Sequence, residues 1–386
     1  MDFKLTDEQE MIRKEVREYA RKVLLPKAGE WDKNGKVPDE IFKELARLGL
    51  LGVTIPSEYG GSDAGPVALS LVIQELAYGC ASTAVAAAVT NMVAEVIYRF
   101  GTKEQKDKYL PKITSGEYLG GSFALSEAHC GSDAGALKTT ARKDGDRWIL
   151  DGEKMWITSG GMAGVFVLWA RTGGKDLPGT KGISAFLVEP VFKGFSVGRH
   201  EEKMGLRGSD TTSLVLQECE VPADNLLGEE NRGFKIAMVA LDGGRISVAS
   251  QAIGIMRAAI DEAVTFAKER KAFGRTISEF QDIQWMVADS FTMLRAAEHL
   301  AMRAAWLKEK GKPFTKEAAM AKYYASEAVN VVCAKCFQIH GGYGYVNEFP
   351  IQRHLRDARV TTIYEGTSQI QKLVIARQIL GMDEII

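Results

Sequence analysis

Several familiar signatures are missing from this sequence of 386 residues. It contains no G-x-G-x-x-G dinucleotide fingerprint, no G-x-x-x-x-G-K-[ST] phosphate loop, no H-E-x-x-H and no G-x-S-x-G nucleophile elbow. Those absences argue against a Rossmann dehydrogenase, a nucleotide hydrolase and an α/β-hydrolase. Cysteine is scarce: Cys80, Cys130, Cys219, Cys333 and Cys336 are all there are. An odd number without framework spacing points to a reducing compartment rather than a disulfide scaffold. Cys333 and Cys336 spell C-x-x-C inside the helical pattern EAVNVVCAKCFQIH. No second C-x-x-C or nearby His pair completes a zinc site, so no metal is expected and the two thiols read as small residues one turn apart. No stretch approaches the roughly 18 apolar residues of a membrane-spanning helix. The N-terminus, MDFKLTDEQEMIRKEVREYA, is charged and amphipathic and lacks the apolar core of a signal peptide. A cytoplasmic enzyme is therefore expected, or a mitochondrial matrix enzyme for a processed chain, without a membrane partner. Charge of one sign is also lacking: Lys and Arg number 49 and Asp and Glu 50, which gives no reason to expect a nucleic-acid partner.

What is present is enough apolar residue, 46%, for two or three domains with shared buried surfaces. The first zone, 1–117, reads as helix after helix. Thr6-Asp7-Glu8-Gln9 and Thr102-Lys103-Glu104-Gln105 are capping boxes, in which hydroxyl and amide satisfy each other's backbone N–H. Ile12, Val16, Tyr19 and Val23 share one helical face. Gly49, Gly79 and Gly101 stand where helices end. The second zone, 118–228, carries the β-type runs RWILDG, KMWITSG, GVFVLWART, GISAFLVEP and TTSLVLQECEVP, which predict a small antiparallel barrel or sandwich. The third, 229–386, is helical again. Ser278-Glu279-Phe280-Gln281 reads as a third capping box opening a long helix toward Lys310, and further helices are predicted over about 315–339, 350–357 and 368–380.

Four stretches carry chemistry: FALSEAHCGSDAG (123–135), MWITSGG (155–161), ERKAFGRTISEFQ (269–281), and QIHGGYGY (338–345) followed by IYEGTSQIQ (363–371). In order, spacing and α–β–α context they resemble the acyl-CoA dehydrogenase family over essentially the whole chain. The resemblance implies a mainly α fold: a helical N-terminal domain, a middle β domain and a C-terminal four-helix bundle. It also implies non-covalent FAD, a homotetramer built as a dimer of dimers, and electron transfer to an electron-transfer flavoprotein.

The reaction so implied is α,β-desaturation of an acyl-CoA thioester. It needs a base for a weakly acidic α C–H, stabilisation of the developing enolate oxygen, and a hydride acceptor over the β carbon. Glu365 matches the family's base. Its main-chain N–H and a ribityl hydroxyl grip the thioester oxygen, and Gly366 lets the backbone pass close to substrate. Apolar surroundings raise the carboxyl's pKa. The competing reading of Glu365 is a helix-capping acid.

By the same resemblance Phe123, Leu125, Ser126, Gly131 and Ser132 line the flavin, and Ser132 also lies near the pantetheine arm. Trp156, Ile157 and Thr158 form the wall beside the ring, with Thr158 reaching N5. Arg270, Phe273 and Gln281, together with Gln338, Ile339, Gly341 and Gly342, reach the FAD of a neighbouring subunit, where a guanidinium suits a diphosphate. Thr367 and Gln369 place a helix N-terminus at phosphate. Asp242 and Arg245 either contact the CoA portion or form an i,i+3 salt bridge. Tyr364 and Leu241 help wall the acyl pocket, whose floor comes from the helix around Ala84 to Tyr98. Asn91, polar in an apolar run, caps that pocket, contacts a polar or cyclic acyl group, or faces solvent. No Arg in that run could pair with a distal carboxylate, which disfavours a glutaryl-type substrate.

The chain departs from the family after Ser126-Glu127, where Ala128-His129-Cys130 replaces Pro and small residues; these read as tolerated loop positions. His340 is given no chemistry. Motif wording is closest to short-chain, butyryl-type enzymes. A catalytically silent scaffold of the same fold and an acyl-CoA oxidase are the alternatives.

Overall fold

The structure, a computed structural model, describes residues 4–382 apart from 175, 176 and 178. Its first layer is helical: α1 Asp7–Tyr19, α2 Ala28–Asn34, α3 Asp39–Arg47, α4 Gly65–Gly79, α5 Ala81–Phe100 and α6 Lys103–Thr114. Two of the predicted capping boxes form. Thr6 Oγ1 accepts from the Gln9 N–H at 3.2 Å and Gln9 Oε1 from the Thr6 N–H at 3.1 Å; Thr102 and Gln105 do the same for α6. Helix α5 is long and apolar enough by composition to cross a membrane, contrary to the sequence expectation, yet 89% of that window is buried inside the protein. It is a core helix.

The middle strands are β1 Gly121–Ala124, β2 Thr140–Asp144, β3 Arg147–Thr158, β4 Val165–Arg171, β5 Ile183–Val188, β6 Phe195–His200, β7 Thr211–Pro222 and β8 Leu226–Leu227. They form one sheet in the order β6-β7-β3-β2-β4-β5-β8, with β1 attached to β4. The middle β domain forms where the antiparallel barrel or sandwich was expected, with two corrections, to strand direction and to closure. β1 and β2 both run parallel to β4, and the end strands β6 and β8 do not pair, so the sheet is not closed. Alternation along a strand reports which face is buried and not the direction of its neighbour. Strand β4 is apolar on both faces. Val165, Val167 and Trp169 point into the core shared with the helices, whereas Phe166, Leu168 and Ala170 fill the core between the sheet's own strands.

The last zone begins with the 37-residue α7, Gly233–Glu269. A short hairpin of β9 Lys271–Ala272 and β10 Arg275–Thr276 follows, then α8 Gln281–Glu309, α9 Thr315–His340, α10 Ile351–Arg359 and α11 Ser368–Leu380. α7, α8, α9 and α11 pack as the expected bundle, and α7 also lies on α4 and α5, so both helical zones share one core. The third capping box is displaced. Thr276, not Ser278, pairs with Glu279, its N–H and hydroxyl reaching Oε1 at 3.0 and 2.9 Å. A capping residue must be extended; Thr276 is (φ −68°, ψ 144°), whereas Ser278 lies inside the 3-10 turn that the box opens. All five cysteines are buried free thiols.

Candidate active site

Between α10 and α11 the chain makes a tight turn in which Glu365 has φ 51° and Gly366 φ 86°. The left-handed region costs a non-glycine residue about 1–3 kcal/mol and persists only where surroundings enforce it. Here the enforcement is explicit. Gln371 Nε2 donates to the carbonyls of Glu365 and Gly366 at 3.1 and 3.0 Å. The buried Lys322 ammonium donates to the Gly366 carbonyl at 2.6 Å. Thr367 caps α11 by accepting the Ile370 N–H, and Tyr364 donates its hydroxyl to Gln251, which in turn holds the Ala81 carbonyl.

This turn lays the Glu365 carboxylate on the backbone of α7. A Cβ placed on Gly244 would stand 2.0 Å from Glu365 Oε2 and 3.0 Å from Met92 Sδ of α5. Oε2 is closed off from solvent and has no hydrogen-bond partner, and the same holds for Arg245 Nε and Gln371 Oε1. Buried unsatisfied polar atoms are rare in folded proteins; these gather round one carboxylate. Burial, only partly offset by the Lys322 and Arg245 charges, pushes the Glu365 carboxyl up to about 7.

The two readings of Asp242 and Arg245 resolve locally into an ion pair of 2.6 Å, with Asp242 also accepting from Thr315 Oγ1 at 2.6 Å. Arg245 keeps its Nε unused. Asn91 requires a correction: it neither caps a pocket nor faces solvent. Its Oδ1 accepts the Val53 N–H at 2.8 Å and its Nδ2 donates to the Leu50 and Ala87 carbonyls at 2.8 and 2.9 Å. It ties the loop after α3 to α5, as a fully buried amide must satisfy itself somewhere. Tyr364 spends its hydroxyl on Gln251 and can offer a ligand only its ring.

The first two sequence motifs meet on β3. The Met155 N–H donates to the Ser126 carbonyl at 3.0 Å, Lys154 Nζ to the Leu125 carbonyl at 3.2 Å, and Ser122 Oγ to the Thr158 carbonyl at 2.7 Å. Phe123, Leu125 and Ser126 are thereby laid beside Trp156, Ile157 and Thr158. Ile157 is buried, while Trp156 has φ 59° and is 54% exposed, presenting its ring outward. Ser159 and Thr212, at the end of this wall, have buried hydroxyls without partners. A Cβ on Gly131 would meet nothing within 4 Å, and Ser132 is exposed. An open-faced indole, free hydroxyls and unobstructed backbone suit a flat ligand with polar edges such as a flavin.

What holds this loop is a buried ion pair. Lys154 Nζ lies 2.8 Å from Glu127 Oε1, which also accepts Thr139 Oγ1 at 2.6 Å, while Oε2 accepts the Lys138 N–H. Burial pushes the Glu127 carboxyl up, but these partners outweigh it and hold it at about 2. Glu127 and Cys130 also exchange two backbone hydrogen bonds of 3.1 Å, which close the loop without the family's Pro. Glu127, His129 and Cys130 bring ligand-type atoms within 4.8 Å of one another, but the carboxylate is already committed to Lys154. Replacing Lys154 by Met strands that carboxylate and costs about 3–5 kcal/mol, read as a lower urea midpoint at pH 7. Because the folded pKa is depressed, the pair's contribution is present above about pH 4.5 and is lost as pH falls toward 2. The gap between wild type and variant therefore narrows in acid.

The other predicted cofactor residues lie elsewhere. Arg270, Ile339, Gly341 and Gly342 line an open cavity of about 480 Å³ at the far ends of α7 and α9. Gln338 and Gln281 are exposed nearby on α9 and α8. Phe273 sits at the tip of the β9–β10 hairpin, 94% exposed with φ 51°. At 1.5 Å per residue, Arg270 is roughly 40 Å along α7 from Gly244, so the structure does not bring this group to Glu365. Gln369 is exposed on the first turn of α11. His340 is buried, bonded to the Cys336 carbonyl and stacked on Phe266 at 4.5 Å.

Sequence reasoning missed Gly244, Lys322, Gln371 and the Glu127–Lys154 pair. Two signals were available. Consecutive glycines inside a helix cost about 1 kcal/mol each against Ala and ask for a reason. Lys322 falls among Ala318, Ala319, Ala325 and Val329, on the buried stripe of its helix.

Comparison with known proteins agrees with this geometry. The N-terminal, middle and C-terminal domains of acyl-CoA dehydrogenase match residues 6–117, 122–219 and 231–380. The acryloyl-CoA reductase (NADH) of Anaerotignum propionicum is 49% identical over 382 residues, covering 98% of this chain and 96% of that protein. The structure of butyryl-CoA dehydrogenase from Megasphaera elsdenii superposes with a TM-score of 0.96 at 42% identity, covering 98% of this chain and 100% of that one. A chain solved in work on the electron transferring flavoprotein of Acidaminococcus fermentans and flavin-based electron bifurcation also superposes with 0.96, at 44% identity and 98% and 100% coverage. With its helical, β and helical zones and these matches along its length, the chain belongs to the acyl-CoA dehydrogenase family of FAD-dependent oxidoreductases.

Proposed function

We propose that this enzyme desaturates a short acyl-CoA between its α and β carbons, with Glu365 as the base. The observation that carries the reading is the Glu365 carboxylate itself: its Oε2 is closed off from solvent without a hydrogen-bond partner, and a left-handed turn holds it against Gly244. A base needs a lone pair not already spent and a pKa near working pH, and about 7 meets the second demand. Glu365 takes the α proton, and its main-chain N–H grips the thioester oxygen. When bound, the flavin supplies the acceptor for the β hydrogen. Phe123 to Ser132 and Trp156 to Thr158 orient its ring, and Thr367 and Gln369 offer the start of α11. Tyr364 walls the acyl group, and Arg245 steadies the CoA side through its unused Nε.

A short acyl group is supported by the likeness along the whole chain to butyryl-CoA dehydrogenase. An exposed Phe273 and a second group some 40 Å away support a homotetramer, in which Arg270, Phe273, Gln281 and residues 338–342 serve a neighbouring copy's cofactor. An electron-transfer flavoprotein is the proposed acceptor.

A second reading runs the same site in reverse. A carboxyl near 7 is populated in both forms at neutral pH, so Glu365 can also give a proton to the α carbon of a 2-enoyl-CoA. The acryloyl-CoA reductase relative favours testing it. Purified holoenzyme mixed anaerobically with straight, branched and cyclic acyl-CoAs is expected to lose flavin absorbance fastest with butyryl-CoA. Equal bleaching by long-chain substrates would sink the short-chain reading. Turnover of 2-enoyl-CoA with a reduced dye, outpacing the oxidative direction, would make the reductase reading the better one.

A further inference from the structure

Lys322 is fully buried on α9. An ammonium has three donors, and among the described residues this one has a single acceptor, the Gly366 carbonyl at 2.6 Å. A buried cation is expensive, and at a position lined by alanines a Met of similar length would pack without that cost. The residue next to its acceptor is Glu365, whose Oε2 has no partner. Lys322 and Glu365 make no direct ion pair within 4 Å among the described residues, so the lysine leaves the carboxylate's lone pairs open.

The remaining charges near the carboxylate are spoken for. On α7, Arg245 pairs with Asp242 at 2.6 Å. On α8, Lys308 pairs with Glu95 of α5 at 2.6 Å. On α9, Glu327 accepts from Ser368 at 2.5 Å. Among the described residues Lys322 has no carboxylate partner within 4 Å, unlike Arg245 and Lys308.

We propose that Lys322 is a positioning residue for Glu365: its ammonium clamps the Gly366 carbonyl, holds the left-handed turn, and offsets the cost of a negative charge on the carboxylate. The inference rests on Glu365 being the base. One group therefore does two separable things. The hydrogen bond aims the carboxylate, and the charge decides at what pH it ionises. Burial pushes Glu365 up and Lys322 pulls it back, so loss of the charge moves it further up. Burial also pushes Lys322 itself down to about 8, against the Glu365 charge.

The test compares kcat/KM against pH for holoenzymes carrying Lys322→Gln, Lys322→Met and Lys322→Arg. Gln keeps a donor and drops the charge; Met drops both; Arg keeps both. Retained flavin absorbance certifies each fold. The rising limb is expected to move up by about one pH unit in Lys322→Gln, the size of one nearby charge. Lys322→Met is expected to add a roughly tenfold lower plateau kcat, because the Gly366 carbonyl loses one of its two donors and keeps only Gln371. Lys322→Arg restores the wild-type limb. A Lys322→Gln limb that coincides with wild type overturns the proposal. Should Lys322→Met lose its flavin, the Gln and Arg profiles still decide. Failure of the base assignment would look different: Glu365→Gln would turn over normally.

Discussion

Glu365→Gln is expected to retain flavin and to lose about 10²–10⁴-fold in turnover, the range for a positioned base. Gln matches Glu in shape, so the turn at φ 51° and the bed on Gly244 are kept; only the proton acceptor is gone. The same variant is expected to be more stable. A carboxyl at about 7 when folded and 4.5 when unfolded penalises the folded state increasingly as pH rises between those values, by about 3 kcal/mol at the top. A neutral amide escapes most of that penalty. Urea midpoints of variant and wild type are therefore expected to coincide below pH 4.5, to diverge between 4.5 and 7, and to keep a constant gap above that, the variant higher. Loss of activity with a gain in stability is the mark of a site built for chemistry. A flavin-bound Glu365→Gln with wild-type turnover would remove Glu365 as the base.

Gly244→Ala is the second large effect. Elsewhere in a helix this change gains about 1 kcal/mol. Here the new methyl meets Glu365 Oε2 at 2.0 Å and Cδ at 2.9 Å, far inside contact distance, and α7 cannot yield because both helical zones pack on it. The carboxylate must leave its bed, and a displacement of about 1 Å is enough to cost 10²-fold in kcat/KM. Gly243→Ala is the control. Its methyl meets chiefly Lys308 Nζ at 2.9 Å, the end of a flexible side chain, and activity is expected to hold. Steady-state kinetics on both variants, with flavin content checked, tests the pair; equal activity in the two would mean that the bed at 244 does not matter.

Structure in this chain was legible where its cause is local. Thr6 and Thr102 announce helix starts because hydroxyl, amide and the donors they satisfy lie within four residues. The third start was misplaced from Thr276 to Ser278 because two hydroxyls two residues apart offer the same pattern, and only backbone conformation separates them. The β zone was visible from its strands, but the parallel pairing of β1 and β2 with β4 was not, because strand direction is a property of two segments. Asn91 looked like a ligand for the same reason that any buried polar residue does: its partners, Leu50 and Val53, belong to another part of the chain.

The site divides along the same line. The sequence by itself determined the family, through motifs shared along its length, and with it the candidates Glu365, Trp156 and Arg270. Tertiary structure alone decided what surrounds the carboxylate. Gly244, Met92 and Lys322 come from three helices that are distant in sequence. The paired glycines and a lysine on an apolar stripe mark two of these positions in the chain, but their effect on Glu365 arises from excluded water, contact and charge, forces that depend on separation in space.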